Sequence, residues 1–369
     1  MIGHGLTIGT IAIGSLLALV TVRSQASAFH SSGTANCNSC HTMHNSADGA
    51  PRNPDAPFGS EHILLFNSAT DVCLSCHALA YGAVMGTDPL NPPAEQGGGN
   101  FVFLLEDNIN DLVDGIPPPI AGNHAGHNVA TVAWGIPVDL DHNIAPGGTF
   151  PSAQLTCTSC HDPHGNGNFR MLRGRGPTNL SGFSFINPAP EASGLNLMTG
   201  QETPSSHTAY RRGWAAWCAN CHGNYHEQSN QVFEHPSEKV LDQDFADAYN
   251  QYNGPADPSG GSITTAYVPE VPFEDPTMTS SSTSGATAAS RLSCITCHRA
   301  HATSAPGGTR WDPNVEFLGT DGLASGSYPL PDPYNDPNQR ALCVKCHYAK
   351  AAEHGWGQPC MQCHRQSGN

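Results

Sequence analysis

The residues best suited to chemistry are the fourteen cysteines, because each falls in a Cys-x-x-Cys-His sequence. Two thiols and a histidine at this spacing are the attachment signature of haem c: the thiols form thioether bonds to the vinyl groups, and the histidine ligates the iron. One such motif could equally be a redox dithiol or half of a zinc site. Seven motifs with no cysteine left over predict seven covalently bound haems c rather than disulfides.

The motifs are numbered I to VII in chain order. The predicted thioether cysteines, two per motif, are Cys37, Cys40, Cys73, Cys76, Cys157, Cys160, Cys218, Cys221, Cys294, Cys297, Cys343, Cys346, Cys360 and Cys363. The predicted proximal iron ligands are His41, His77, His161, His222, His298, His347 and His364.

The second axial position of each iron separates an electron carrier from an enzyme. An enzyme acting on a small substrate at iron needs an open or weakly held position, whereas a carrier has both positions filled. Besides the proximal ligands and His4, twelve histidines remain, enough for every haem: His30, His44, His62, His124, His127, His142, His164, His207, His226, His235, His301 and His354. This supply favours bis-His ligation, low potentials and no enzymatic activity.

Spacing ranks these distal candidates. Some follow a proximal histidine by three or four residues, which places both on one side of a helical turn. The second histidine cannot reach the far face of the same haem, so it must ligate a neighbouring haem, and the haems must be closely packed. These candidates are His44, His164, His226 and His301. His127, His235 and His354 are favoured because they adjoin Gly or Pro, and His30 is a further candidate near the N-terminus.

Composition predicts a mostly coil fold with short α-helices and little β-structure. The 369 residues include 39 Gly and 30 Pro, which disfavour long helices and strands, and only 12% of them are charged. Short helices are expected over residues 237–252 and around each motif. Haem would supply much of the apolar interior. The net charge of −16 argues against a nucleic-acid or anionic-membrane partner.

The N-terminus has the pattern of a secretory signal. The apolar run from Leu6 to Val20 is short for a membrane span, and Ala26-Ser27-Ala28 is a small-x-small cleavage site. The prediction is a signal peptide over residues 1–28 and one heptahaem domain over residues 29–369, with no transmembrane segment in the mature chain. An uncleaved anchor is the alternative.

Several longer blocks resemble the outer-surface multihaem cytochromes that polymerise into conductive filaments in metal-reducing bacteria. In chain order they are FHSSG with CNSCHTMHNS, GHN at 126–128, APGGTFPSAQLTCTSCHDPHG at 145–165, WCANCH at 217–222, HP at 235–236, CITCHRAHA at 294–302 and QRALCVKCH at 339–347. The resemblance implies six bis-His haems per subunit in a continuous stack within a coil-rich fold. It also implies that His44 ligates the motif V haem of the next subunit, which generates a head-to-tail filament.

The resemblance ends near Lys350, and residues 350–369 add His354 and a seventh motif. The function predicted is electron transfer through seven closely stacked bis-His haems of a protein exported through the periplasm to the cell surface or beyond. Its partners would be identical subunits in a filament and other electron-transfer cytochromes. A monomeric shuttle in the periplasm or at the surface is the first alternative, and a multihaem reductase is the second.

Overall fold

The computed structural model describes residues 30, 36–47, 50–54, 63–78, 84–89, 91–93, 96–105, 122–194, 201–226, 237–313, 315–320, 332–354 and 360. The predicted signal peptide, His62, His235 and motif VII apart from Cys360 lie outside these residues. Loops and turns make up most of the described chain, as the composition predicts.

The α-helices are α1 Ala69–His77, α2 Cys157–Cys160, α3 Trp214–Cys218, α4 Gln243–Gln251, α5 Cys294–Cys297 and α6 Val344–His354. The strands are β1 Ser46–Ala47, β2 Ala50–Pro51, β3 Gly176–Pro177, β4 Ser184–Phe185, β5 Glu191–Ser193 and β6 Ala209–Arg212. They form three antiparallel pairs, β1 with β2, β3 with β4, and β5 with β6. Short 3₁₀ helices cover Cys37–Ser39, Phe101–Leu105, Gly122–His124, Ser152–Gln154, Phe169–Met171, Gly223–Tyr225, Pro306–Gly308 and Leu318–Thr320.

Motifs III and V form single helical turns, and the residue before each motif explains where the turn begins. Thr156 precedes α2, and its backbone N–H donates to Ser159 Oγ at 3.1 Å. Ser293 precedes α5 and donates in the same way to Thr296 Oγ1 at 3.2 Å. Such caps satisfy backbone donors that a short helix leaves unpaired. Both helices end at the cysteine before the ligand histidine, whose backbone is extended.

A buried carboxylate caps the helix of motif IV. Glu274 is fully buried, and its two oxygens accept hydrogen bonds from the backbone N–H groups of Gly213 and Trp214, each at 3.0 Å. A negative charge at a helix N-terminus is favourable because the backbone donors point towards it. Glu274 therefore fixes the start of α3, which carries Cys218.

Apolar side chains of the described residues form three separate clusters. Two of them pack against cysteines of motifs III to VI. The first centres on Tyr249, Tyr267 and Trp311 and packs against Cys297, Cys343 and Cys346. The second contains the buried run 101–104 and Leu74 of α1. The third joins Trp214 and Trp217 to Phe185 and packs against Cys160, Cys218 and Cys221. The first and third clusters thus lie beside predicted attachment cysteines, which suits a fold built around haem.

The longest helix in the described part of the chain is α6, with eleven residues. None of the described helices has the length and apolar character needed to cross a membrane.

Candidate haem-binding sites

Four of the predicted ligand histidines are oriented by a hydrogen bond from Nδ1 to a backbone carbonyl. The pairs are His127 with Ala300 at 2.8 Å, His161 with Arg170 at 2.9 Å, His222 with Pro146 at 2.8 Å and His298 with Gly307 at 3.1 Å. Because a carbonyl only accepts, Nδ1 must carry the proton in each ring. This leaves the lone pair on Nε2 available for a metal, as is typical of metal-ligating histidine.

Burial keeps these imidazoles in the form that binds iron. It lowers the pKa of His127, His161, His222 and His298, and in each case it is the largest cause. A lowered pKa means that the ring is neutral at physiological pH, and only neutral imidazole ligates a metal. The same effect lowers the pKa of His301 to about 3.

A glycine allows the loop before motif III to approach motif IV closely. An added Cβ on Gly148 would lie only 1.6 Å from the carbonyl oxygen of Cys221. This loop also contains Pro146, the carbonyl of which accepts from His222. The absence of a side chain on Gly148 therefore lets the loop lie close enough for His222 to donate to the Pro146 carbonyl oxygen.

Three pairs of histidine rings that include a motif histidine have a separation that fits two ligands of one iron. A fourth pair, His124 with His142, also lies 6.1 Å apart, but neither residue belongs to a motif and each contacts an aspartate. A metal–imidazole bond is about 2 Å long and the ring centroid lies about 1 Å behind the ligating nitrogen, so two imidazoles on opposite sides of one iron have centroids about 6 Å apart. The observed separations are 6.2 Å for His41 with His164, 6.1 Å for His30 with His77 and 5.9 Å for His127 with His222. The residues present therefore fit bis-His haem.

In each pair one ring belongs to a motif and the other comes from a distant or flanking segment. The planes are within 12° of parallel for His41 and His164, within 15° for His30 and His77, and 51° apart for His127 and His222. After burial, His161 is the neighbour that lowers the pKa of His301 the most. The His301 ring stacks on Phe101 at a centroid distance of 4.6 Å. This arrangement brings His301 of the motif V region next to motif III.

The structure adds His30 to the favoured distal candidates. The sequence offered no motif around His30 beyond its place near the predicted mature N-terminus, so local spacing did not rank it with the favoured seven. Its ring lies opposite His77, 47 residues further along the chain. Only the fold reveals a pairing between residues so far apart.

The remaining favoured candidates have different surroundings. His44 is exposed on the surface just after motif I. His226 has its Nε2 atom 3.1 Å from a carboxylate oxygen of Glu238. His354 is the last residue of α6, seven residues after His347. His235 lies outside the described residues.

Three histidines that spacing did not favour have protein partners. His207 is buried, and both ring nitrogens lie 3.0 Å from backbone carbonyl oxygens, those of Thr208 and Ser282. His124 contacts Asp141 at 2.5 Å, and His142 contacts Asp139 at 3.1 Å. Groups of three or more side chains suited to hold a free metal ion are absent from the described part of the chain.

The cysteines of successive motifs meet in a regular order. A thiol that carries haem becomes a thioether sulfur, so two neighbouring thiols would indicate where the attached edges of two haems lie together. Hydrogen bonds join the first cysteines of motifs II and III and those of motifs IV and V, as the pairs Cys73 with Cys157 and Cys218 with Cys294.

At the other three steps, from motif I to II, III to IV and V to VI, the second cysteines are electrostatic neighbours. Burial, followed by the neighbouring second cysteine, raises the pKa of three of these thiols. The pairs are Cys40 with Cys76 for motifs I and II, Cys160 with Cys221 for motifs III and IV, and Cys346 with Cys297 for motifs V and VI. Cysteines of consecutive motifs are therefore neighbours in chain order from motif I to motif VI.

Repeated Cys-x-x-Cys-His motifs, oriented neutral imidazoles and motif cysteines that are neighbours in chain order are the features of a multihaem c-type cytochrome. The family model that matches is the doubled CXXCH motif, over residues 150–179, which include motif III and His164. A curated relative is the C-type cytochrome OmcS of Geobacter sulfurreducens, which is 29% identical over 424 aligned positions. The alignment covers 89% of this chain and 96% of OmcS.

Two solved structures share the fold. One is described as a cryo-EM structure of the OmcS nanowires from Geobacter sulfurreducens and the other as the outer membrane cytochrome S filament from the same organism. Both have a TM-score of 0.74, with 27% and 28% sequence identity, and each match covers 86% of this chain and 99% of the solved chain. The chain is thus similar to OmcS in sequence and in fold, and its Cys-x-x-Cys-His motifs support covalently bound haem c.

Proposed function

We propose that the protein conducts electrons through seven bis-His haems c and that copies of it assemble head-to-tail into extracellular filaments. The observation that carries the proposal is that motif histidines are paired with second histidine rings while the cysteines of motifs III with IV and of motifs V with VI pack against shared apolar clusters. An electron can pass between haems whose edges are in contact without any rearrangement of the chain. The OmcS structures, which are filaments, support the assembly.

The protein residues would hold each haem and keep its iron six-coordinate. When bound, haem supplies an iron that cycles between the ferric and ferrous states. The carbonyl-bound Nδ1 atoms orient the ligand rings and direct Nε2 towards the iron position. With histidine at both axial positions no site remains for a substrate, and this favours a carrier over a reductase.

His44 is the residue proposed to join the copies. It is exposed, whereas His41, His77 and His222 each face a second histidine ring of their own chain. Within the described part of the chain, His298 of motif V has no histidine partner of this kind. The proposal is that His44 of the neighbouring copy ligates the iron opposite His298. Because this contact joins two different surfaces of the protein, each copy can bind a further copy and a filament grows.

Electron microscopy of the secreted protein tests the assembly. The native chain should form filaments, and His44→Ala should abolish them and leave one haem per subunit high-spin. His142→Ala is the matched control, because His142 is also exposed but contacts Asp139, and it should keep both the filaments and the low-spin spectrum. Filaments of His44→Ala with all haems low-spin would contradict the role of His44.

Two further observations separate the alternatives. A native protein that remains monomeric in the secreted fraction would favour a soluble shuttle with the same haem series. A change in the Soret band of the native protein on adding cyanide would show an accessible iron and favour a reductase. An unchanged spectrum is expected, since both axial positions are filled by histidine.

A further inference from the structure

Arginine is concentrated in one short segment of a strongly acidic chain. The sequence has 15 Lys and Arg residues against 31 Asp and Glu, which gives a net charge of −16. Three arginines nevertheless lie within six residues shortly after motif III, and we call Arg170, Arg173 and Arg175 the arginine patch. A local excess of positive charge on an acidic protein attracts groups that the rest of its surface repels.

The structure keeps this charge at the surface. Arg170 and Arg175 are exposed, and Arg173 is partly buried. The segment packs against β5, where the carboxylate of Glu191 already forms an ion pair with Arg212 at 2.5 Å. Glu191 is therefore balanced by its own partner, and the arginine patch remains a positively charged surface.

The arginine patch is hydrogen-bonded to motif III. The backbone carbonyl oxygen of Arg170 accepts from Nδ1 of His161, the predicted proximal ligand of haem III, at 2.9 Å. The Nε atom of Arg173 donates to the carbonyl oxygen of Thr158, which lies between the two cysteines of the motif, at 2.6 Å. A protein bound on the patch would therefore contact residues that themselves touch a haem ligand and a haem attachment motif.

Arg170 has an unusual backbone conformation. Its φ of 46° and ψ of 33° are left-handed, and the next residue, Met171, has a φ of 57°. This region is unfavourable for residues with a side chain, and such residues cluster at functional sites. In this conformation the carbonyl oxygen of Arg170 faces His161 while its guanidinium stays exposed, 5.4 Å from the centroid of the Phe169 ring.

We propose that the arginine patch is a docking site for an acidic electron-transfer protein, which passes electrons to this protein through haem III. One electron leaves the reduced partner and reduces one ferric iron, and no bond is made or broken. Opposite charges speed the encounter of two proteins and orient them, and transient electron-transfer complexes need only a small interface. The inference deepens the proposed function and rests on it, because haem III must belong to a conducting series. Neither His44 nor His298, which are proposed to join the copies, is part of the patch.

A charge reversal in the haem-loaded protein tests the docking site, with plant-type ferredoxin, a small acidic [2Fe–2S] protein of low potential, as the probe. Calorimetric titration with oxidised ferredoxin measures binding without electron transfer, and stopped-flow mixing with reduced ferredoxin measures the rate of haem reduction. Arg175→Glu should weaken binding and slow reduction by about five- to tenfold at low ionic strength, and should reduce the salt dependence of both. Arg175→Lys should keep the wild-type values. Lys239→Glu is the matched control, because Lys239 is also exposed and the net charge changes equally, and it should change both quantities less than about twofold.

A small reductant of the opposite charge separates docking from other effects of the substitution. Reduction by the methyl viologen radical cation should be no slower in Arg175→Glu than in the wild type. Wild-type binding and rates for Arg175→Glu, or equal losses in Arg175→Glu and Lys239→Glu, would overturn the docking site. Slower reduction of Arg175→Glu by both reductants would overturn it too, because the change would then lie in haem III itself. In all these cases the native protein still accepts electrons, whereas a native protein that the viologen radical does not reduce would overturn the proposed function.

Discussion

The ammonium group of Lys345 lies 4.6 Å from the ring centroid of Tyr249, although Lys345 is inside motif VI, between its two cysteines. Its Nζ donates to the carbonyl oxygen of Tyr252 at 2.7 Å, and the ring of Tyr334 lies 5.5 Å away. Lys345 is 1% exposed, so solvent screens its charge weakly. A buried positive charge next to a haem opposes the extra positive charge of ferric iron and therefore raises the potential of that haem.

We expect Lys345→Gln to lower the potential of haem VI. Two charges about 8 Å apart at an effective dielectric constant of about 20 interact by about 2 kcal/mol, which corresponds to a shift on the order of 50–100 mV for one electron. Lys345→Arg, which keeps the charge, is the control. Spectroelectrochemical titration at pH 6 measures the shift, and equal potentials in the wild type and Lys345→Gln would contradict the prediction.

Gly148→Ala should destabilise the region around motif IV. The new Cβ would lie 1.6 Å from the Cys221 carbonyl oxygen, so the loop must move away and the hydrogen bond from His222 to Pro146 must lengthen. A cost of at least about 2 kcal/mol in the free energy of unfolding is expected, as for other buried steric conflicts. Denaturant unfolding measures it. Gly167→Ala, where no atom lies within 4 Å of the added Cβ, should change the stability little.

His30→Ala should leave one haem with an open axial position. The ring of His30 faces that of His77 at 6.1 Å, and its removal leaves the motif II haem with one ligand. The expected spectrum has one high-spin haem that binds cyanide. His124→Ala serves as the control, because His124 contacts Asp141 on the surface. A fully low-spin His30→Ala variant would show that His30 is not an axial ligand.

Glu270 should make the stability of the folded chain depend on pH. Burial raises the pKa of its carboxyl group to about 7 from 4.5, and its buried Oε2 atom has no hydrogen-bond partner. Between these two values the folded state binds a proton that the unfolded state has released. The stability contributed by that proton is therefore present at low pH and is lost as the pH rises through about 7.

The test is Glu270→Gln, which should be more stable than the wild type at pH 8 and should have a smaller pH dependence between pH 5 and 7. Glu191→Gln, which removes the surface ion pair with Arg212, is the control and should leave the slope unchanged. Denaturant unfolding over pH 4.5–8 measures both. Equal slopes for the wild type and Glu270→Gln would contradict the assignment.

Local sequence predicted the local structure well. The helix predicted over residues 237–252 is α4, Gln243–Gln251, and Asp242 caps it by accepting from Phe245 N–H at 3.1 Å. Helical turns at the motifs are expected as well, and in the structure Thr156 and Ser293 directly precede the cysteines that begin α2 and α5. These elements depend on residues within one turn of each other, so a single sequence contains the information that specifies them.

Covalent chemistry is also local, and for this reason the sequence by itself determined which cysteines are spaced to carry haem and which histidine directly follows each pair. It did not determine which distant histidine faces which motif, or in what order the motifs meet. His41 and His164 are 123 residues apart, and the alternation of first and second cysteines joins segments separated by long Gly- and Pro-rich loops. Those pairings depend on how the three apolar clusters pack around the motifs, and only the tertiary structure decided them.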